Sequence, residues 1–436
     1  MSLSQTRSTD FDLYSALQFI LSLAAALGAF ALAGLLLLVG MFDLAGAAGG
    51  DQTMSEFVLA GTLFFAGLLL CPSAVYALLR LAGRRPTKPW LPPAAWRVGN
   101  LLLLIALPLA LWLGDWAIRS TALAWLILPA AHVLAISIPV LWLVNLGRHG
   151  LPAVAPQRAW GILASGLTLG PLLMLGTELF VGLLLLILGS LAIVLQPEQA
   201  AALQDLAQKI QSAPSDPTSF FPLVESYLRQ PMVIYLLLAY FSAIVPLVEE
   251  ALKPIGVWLL AGRRLTSSEG FVSGLLCGAG MSLIESLSAG SAAGASWTTI
   301  VIARWGTAAM HIFTAGLMGW ALASAWAEKR YFRLAFVYGI AVLIHGLWNG
   351  MTVAAALLTL QPSTAAEFSP LAALQIGLAS AFGVLLIFGL LSFNATLRRR
   401  LSQLPVLSTI SPSPVTISSN GVDDAGEAKI SSEVLS

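Results

Sequence analysis

Long apolar runs, separated by short polar segments that carry Gly, Pro and basic residues, organise this 436-residue chain. Runs of about twenty residues match the length a helix needs to cross ~30 Å of hydrocarbon at about 1.5 Å per residue. The pattern predicts ten spans, at 15–41, 57–79, 98–114, 122–146, 160–195, 231–262, 270–290, 299–326, 334–357 and 372–394. They are rich in Leu and Ala and lack the alternation of barrel strands, so the expected fold is all-α, a polytopic transmembrane helix bundle. The fifth and sixth runs are too long for one straight crossing and predict helices that are tilted, broken or extended beyond the bilayer. The first apolar run is longer than the core of a cleaved signal peptide and reads as a retained span.

Three regions follow. An N-terminal transmembrane region, 1–230, holds five spans and ends in an extracytoplasmic loop, 196–230. In that loop Leu203, Leu206 and Ile210 recur at helical spacing and predict a short amphipathic helix. A second region, 231–397, holds five more spans. From 398 to 436 the chain turns Ser-rich and loses its apolar periodicity, the pattern of a disordered tail.

Charge orients the bundle. If both termini are cytoplasmic, only Arg119, Lys209 and Arg229 of the 22 basic residues fall in outside connections, and Lys253 and Arg304 fall within spans. That bias supports an even number of spans, both termini inside, and a multi-pass protein of the cell membrane. Composition agrees, with 58% hydrophobic and 10% charged residues and a mean hydropathy of +0.86. A net charge of +1 gives no electrostatic basis for a nucleic-acid partner. Cys71 and Cys277 both lie within spans, read as small buried apolar residues, and carry no disulfide framework.

Ionisable residues inside spans carry the chemistry, because a charge at bilayer depth needs compensation. The sixth span reads PLVEEALKPIG. Glu249 and Lys253 share a face at i, i+4 and can pair, whereas Glu250 is turned about 100° away and needs another partner. Pro246 and Pro254 bracket the motif and predict kinks that free backbone carbonyls. The seventh span carries Gly274, Gly278 and Gly280, which suit close helix packing, followed by Glu285. In the eighth, Arg304 and His311 lie seven residues apart on one face, and Arg304 is the expected counter-ion of Glu285 or Glu250. In the ninth, His345 and Asn349 share a face, Gly346 permits close approach of a backbone, and Trp348 reads as packing. Glu249, Glu285, His311 and His345 all fall near the midpoints of their spans, so four helices offer acid and imidazole groups at one level. His132 and Glu178 stand apart from this group. Each lines a path or is hydrogen-bonded locally, and Glu178 could mark a break in the long fifth helix.

The order E-E-x-x-K, a Gly-rich span ending in Glu, R-x(6)-H-x-F-T and H-G-x-W-N resembles the PrsW family of intramembrane proteases, a family similar to the CAAX-protease and bacteriocin-processing superfamily. The resemblance runs from Glu249 to about Gly350. It matches the paired acids to Glu249 and Glu250 with Lys253, the second acid to Glu285, the third motif to His311 with Arg304, and the last to His345 and Asn349. Ser286 follows Glu285 where this family is expected to carry Asn.

The resemblance implies peptide-bond hydrolysis of a membrane-anchored protein substrate within the lipid bilayer. Glu249 with His311 would activate water, His345 and Asn349 would polarise the scissile carbonyl, and Glu250 and Glu285 would complete the polar network. A glutamate-dependent reaction is favoured, because no H-E-x-x-H calls for a metal. A divalent ion such as zinc on His311, His345 and the carboxylates is the open alternative. Two readings from other classes stand beside the protease. One is a proton- or ion-coupled secondary transporter, which uses the same intramembrane residue types. The other is a catalytically inactive relative that binds membrane partners.

Overall fold

The computed structural model describes residues 12–46, 50–84, 93–119, 123–194, 197–212, 231–291, 294–359 and 370–403. Every longer regular element among them is a helix. Four single crossings come first: α1 (Leu13–Ala45), α2 (Asp51–Leu81), α3 (Pro93–Arg119) and α4 (Ala124–Arg148). The fifth run divides into α5 (Pro156–Leu167) and α6 (Leu169–Val194), and α7 (Pro197–Ser212) forms in the loop where a short helix is predicted. The sixth run comprises α8 (Pro231–Ala239), a π-helical turn (Tyr240–Ile244), α9 (Val245–Leu252) and α10 (Ile255–Trp258). The last four crossings are α11 (Ser267–Ser291), α12 (Trp297–Glu328), α13 (Tyr331–Thr359) and α14 (Pro370–Ser402).

Ten candidate spans among the described residues are long and apolar enough to cross a membrane, one for each predicted run. The architecture is therefore a polytopic helical membrane bundle. α14 continues to Ser402, beyond the start of the predicted tail, and residues 404–436 lie outside the described residues. Residues 213–230 of the predicted extracytoplasmic loop also lie outside them.

Proline explains the breaks in both long runs. Pro171 has no N–H for the carbonyl of Leu167, four residues back, and the chain leaves helical geometry at Thr168, whose hydroxyl bonds the Ala164 carbonyl at 2.8 Å. The fifth helix thus breaks at Thr168, and Glu178 sits in the middle of α6. In the sixth run Pro246 cannot bond the Ser242 carbonyl, and the turn before it widens to π geometry. Pro254 likewise ends α9 beyond Lys253.

α11 and α12 form the buried centre. The α11 face carrying Gly270, Gly274 and Gly278 lies directly against the α12 backbone at Gly319, Ala315 and His311, too close for a side chain. Around this pair, α1, α3, α6 and α14 turn many of their Leu and Phe side chains outward, as lipid-facing helices do. Contacts of Arg80 with Asp12 at 3.4 Å, Arg158 with Glu269 at 3.9 Å, and Arg263 over the Tyr14 ring at 4.6 Å gather the start of α1 and three connections at one end. Such grouping is what antiparallel alternation of the crossings requires.

Gly278 couples this packing to the site, because a Cβ there would strike the His311 carbonyl. Gly278→Val is expected to destabilise the bundle by about 1–3 kcal/mol through overpacking. A lowered thermal midpoint in detergent checks this; an unchanged midpoint would mean the α11–α12 seam can relax.

Candidate functional site

The broken sixth span presents its charges to the centre of the bundle. Glu249 is 8% exposed, while Glu250 and Lys253 are fully buried. The sequence pairs Lys253 with Glu249, and the structure keeps that pair at 3.8 Å while setting the ammonium directly on Glu250 Oε1 as well. The reason is local: residues three apart are also neighbours on a helix, and α9 ends at Leu252, so Lys253 folds back over the last turn. Glu250 then finds its further partners in Thr314, whose hydroxyl donates at 3.2 Å, and in His345 Nδ1 at 2.8 Å.

A second, parallel arrangement comes from α11 and α12. Arg304 donates to Glu285 Oε1 at 2.6 Å and to Ser286 Oγ at 3.1 Å, so of its two expected counter-ions Glu285 is the one it meets. Glu285 Oε2 in turn lies 2.7 Å from His311 Nε2. Each histidine therefore has a carboxylate behind one ring nitrogen and a cation behind that carboxylate. Lys253 and Glu250 stand behind His345, and Arg304 and Glu285 stand behind His311.

The other nitrogen of each ring faces Glu249. His311 Nδ1 lies 4.0 Å and His345 Nε2 lies 3.9 Å from Glu249 Oε2. The two rings are 5.3 Å apart between centroids and nearly perpendicular. Glu250, held by Lys253, accepts from His345 Nδ1, which leaves the Nε2 lone pair toward Glu249. Glu249 Oε2 and His311 Nδ1 are buried and make no hydrogen bond. One ligand atom from each of Glu249, His311 and His345 falls within 4.8 Å of the others, a buried group that could hold a metal ion.

Asn349 occupies a different position. Its Nδ2 donates to the Phe241 carbonyl in the π turn at 3.0 Å. Gly346 faces the same turn, where a Cβ would collide with the Ser242 carbonyl, which Pro246 deprives of its α-helical partner. The H-G-x-W-N segment therefore divides its work: His345 enters the cluster, Gly346 and Asn349 seat the broken helix, and Trp348 packs with its indole N–H on Thr307 at 3.1 Å. Two further residues serve the site. Thr314, one turn after His311 on the same face, was legible in the motif but had no evident role. Ser286, the departure from the expected Asn, supplies an acceptor for Arg304.

His132 is a structural residue. Trp297 donates to its Nδ1 at 3.0 Å, so Nε2 carries the proton and donates to the Leu287 carbonyl at 2.9 Å. Both ring nitrogens are thereby satisfied within the packing of α4, α11 and α12. Cys277 is buried and Cys71 half-buried, and both are free.

Residues 179–375 match the PrsW family intramembrane metalloprotease. This match covers a little under half of the chain, spans all eight residues of the predicted site, and supports membership of the PrsW family. Neither the comparison with curated proteins nor that with solved structures found a match. Together the PrsW match and the ten apolar spans support a multi-pass membrane protein with a protease domain.

Proposed function

We propose that this protein is a PrsW-family peptidase that hydrolyses peptide bonds of membrane-associated protein substrates from within the bilayer of the cell membrane, with both termini in the cytoplasm. The observation that carries the reading is the convergence on Glu249 of two imidazoles, each fixed from behind by a carboxylate and a cation. A structural ion pair needs no second relay, and Glu249 Oε2 and His311 Nδ1 are buried without a hydrogen bond, 4.0 Å apart and with His345 Nε2 at 3.9 Å from that oxygen, a spacing that suits a cation or water between them.

The donor set fits a divalent metal such as zinc, with Glu249, His311 and His345 as the residues that would hold it. When bound, such an ion supplies Lewis acidity toward a carbonyl and makes water a better nucleophile near neutral pH. The chain's own residues do the rest. Glu250 and Glu285 fix the ring orientations of His345 and His311, as carboxylates behind metal-binding imidazoles do. Lys253 and Arg304 keep those carboxylates neutralised in the apolar interior. Glu249 brings the negative charge at the centre, and Asn349 acts as a positioning residue by holding the π turn against α13.

The activity is tested by terminus-selective mass spectrometry of membrane proteins from cells expressing wild type or the Glu249→Gln variant, which leaves the Lys253–Glu250 pair in place, at equal levels. New termini within or near transmembrane segments, seen only with wild type, are expected. Identical profiles from two folded, abundant proteins would remove the protease reading.

Metal dependence has its own test. Purified active protein is expected to carry roughly one divalent ion per chain, to lose cleavage on chelation and to regain it with zinc. His311→Ala is expected to lose metal and cleavage together. Full activity in metal-free protein would instead assign water activation to Glu249 and His311 alone.

A further inference from the structure

Among the described residues Glu178 is the one carboxylate near the site that the proposed chemistry leaves without a task, and it lies one residue before the family match begins. Its place in the fold is well determined by its neighbours. Met174 and Gly182, one turn to either side on the same face, define the side of α6 that packs inward. Met174 is buried, and the Tyr240 hydroxyl of the π turn lies 3.2 Å from where a Gly182 Cβ would stand. The same hydroxyl donates to the Glu178 carbonyl at 2.9 Å. Glu178 therefore faces the broken helix that carries Glu249. Among the described residues none of Glu249, Glu285 and Lys253 comes within ion-pair distance of it.

The charge count around the site is asymmetric. Glu250 and Glu249 have Lys253, and Glu285 has Arg304. Among the described residues Glu178 has no cationic partner, and its Oε1 is buried without a hydrogen bond. The remainder of α6 exposes Leu172, Leu175, Leu179, Phe180, Leu183 and Leu186, so Glu178 sits on the seam between a lipid-facing helix and the site. An ionisable group at membrane depth calls for a partner, and α6 is a lipid-facing helix that meets the broken sixth run at Glu178.

We propose that Glu178 is a substrate-binding residue that supplies the countercharge for a lysine or arginine side chain flanking the scissile bond. The inference rests on the protease reading above and adds a substrate class to it: membrane segments with a basic residue close to the cut. A basic side chain in such a segment meets the same cost at bilayer depth as Glu178 does, and pairing relieves both.

The test compares cut sites by terminus-selective mass spectrometry in cells expressing wild type, Glu178→Gln, Glu178→Lys or Glu249→Gln at equal levels. Cuts that depend on Glu249 are expected to carry Lys or Arg within about one helical turn of the bond. Glu178→Gln is expected to reduce those cuts about tenfold or more, while cuts lacking a nearby basic residue persist and show that the variant is folded. Glu178→Lys is expected to shift the remaining cuts toward segments with Asp or Glu. Glu249-dependent cuts unaltered in Glu178→Gln, the isostere of a neutral Glu178, would overturn the inference and leave the protease reading intact. So would a uniform loss of all cuts with no change in preference. If no cut depends on Glu249, the protease reading falls and this assignment falls with it.

Discussion

Glu249→Gln is expected to reduce cleavage by about 10³-fold or more while the protein still folds and inserts. The two halves of that outcome have separate physical grounds. Glu249 Oε2 makes no hydrogen bond and stands 3.8–4.0 Å from Lys253, His311 and His345, so the substitution removes no close contact that holds the bundle together. Lys253 keeps its partner Glu250, and both histidines keep the carboxylates behind them. What disappears is the negative charge on which the two imidazoles converge. Without it the cluster loses an anionic ligand or a base, according to whether a cation or water fills the gap. Cleavage of an identified substrate, measured beside the thermal midpoint in detergent, reads both halves. Wild-type cleavage in a normally folded variant would take Glu249 out of the chemistry and move attention to Glu285.

Much of this arrangement could be read from the sequence because membrane depth makes charge conspicuous. Ten apolar runs gave ten candidate spans, and the predicted group of Glu249, Glu285, His311 and His345 does meet at one place. Helical geometry carries such information well: residues three, four or seven apart share a face, and span midpoints fix a common level. Pairing between neighbours was harder. Lys253 can reach either acid of the E-E pair, and the choice of Glu250 depends on where Pro254 ends the helix. Asn349 illustrates a different limit. Its spacing from His345 places it on the right face, but its Nδ2 is taken up by a carbonyl of the π turn, an irregularity that no periodicity encodes. The fifth run breaks at Thr168, set by Pro171, whereas Glu178, the residue the sequence singles out in that run, lies within α6.

The buried Lys253–Glu250 pair offers the sharpest separation of stability from catalysis. Lys253→Met is expected to destabilise the protein by about 3–5 kcal/mol, because it leaves Glu250 as a fully buried carboxylate without its cation. Thr314 and His345 still donate to that carboxylate, but neutral donors do not replace the lost charge. Adding Glu250→Gln removes the orphaned charge, and the double variant is expected to recover most of the lost stability. Cleavage should not recover with it. An amide behind His345 supports the ring less strongly than a carboxylate, and weakening such a partner typically costs about 10–100-fold in metal affinity or activity. Unfolding midpoints and cleavage rates for both variants decide the matter. Stability and cleavage returning together would make the pair a packing device, whereas stability returning alone would show that Glu250 acts on the reaction through His345.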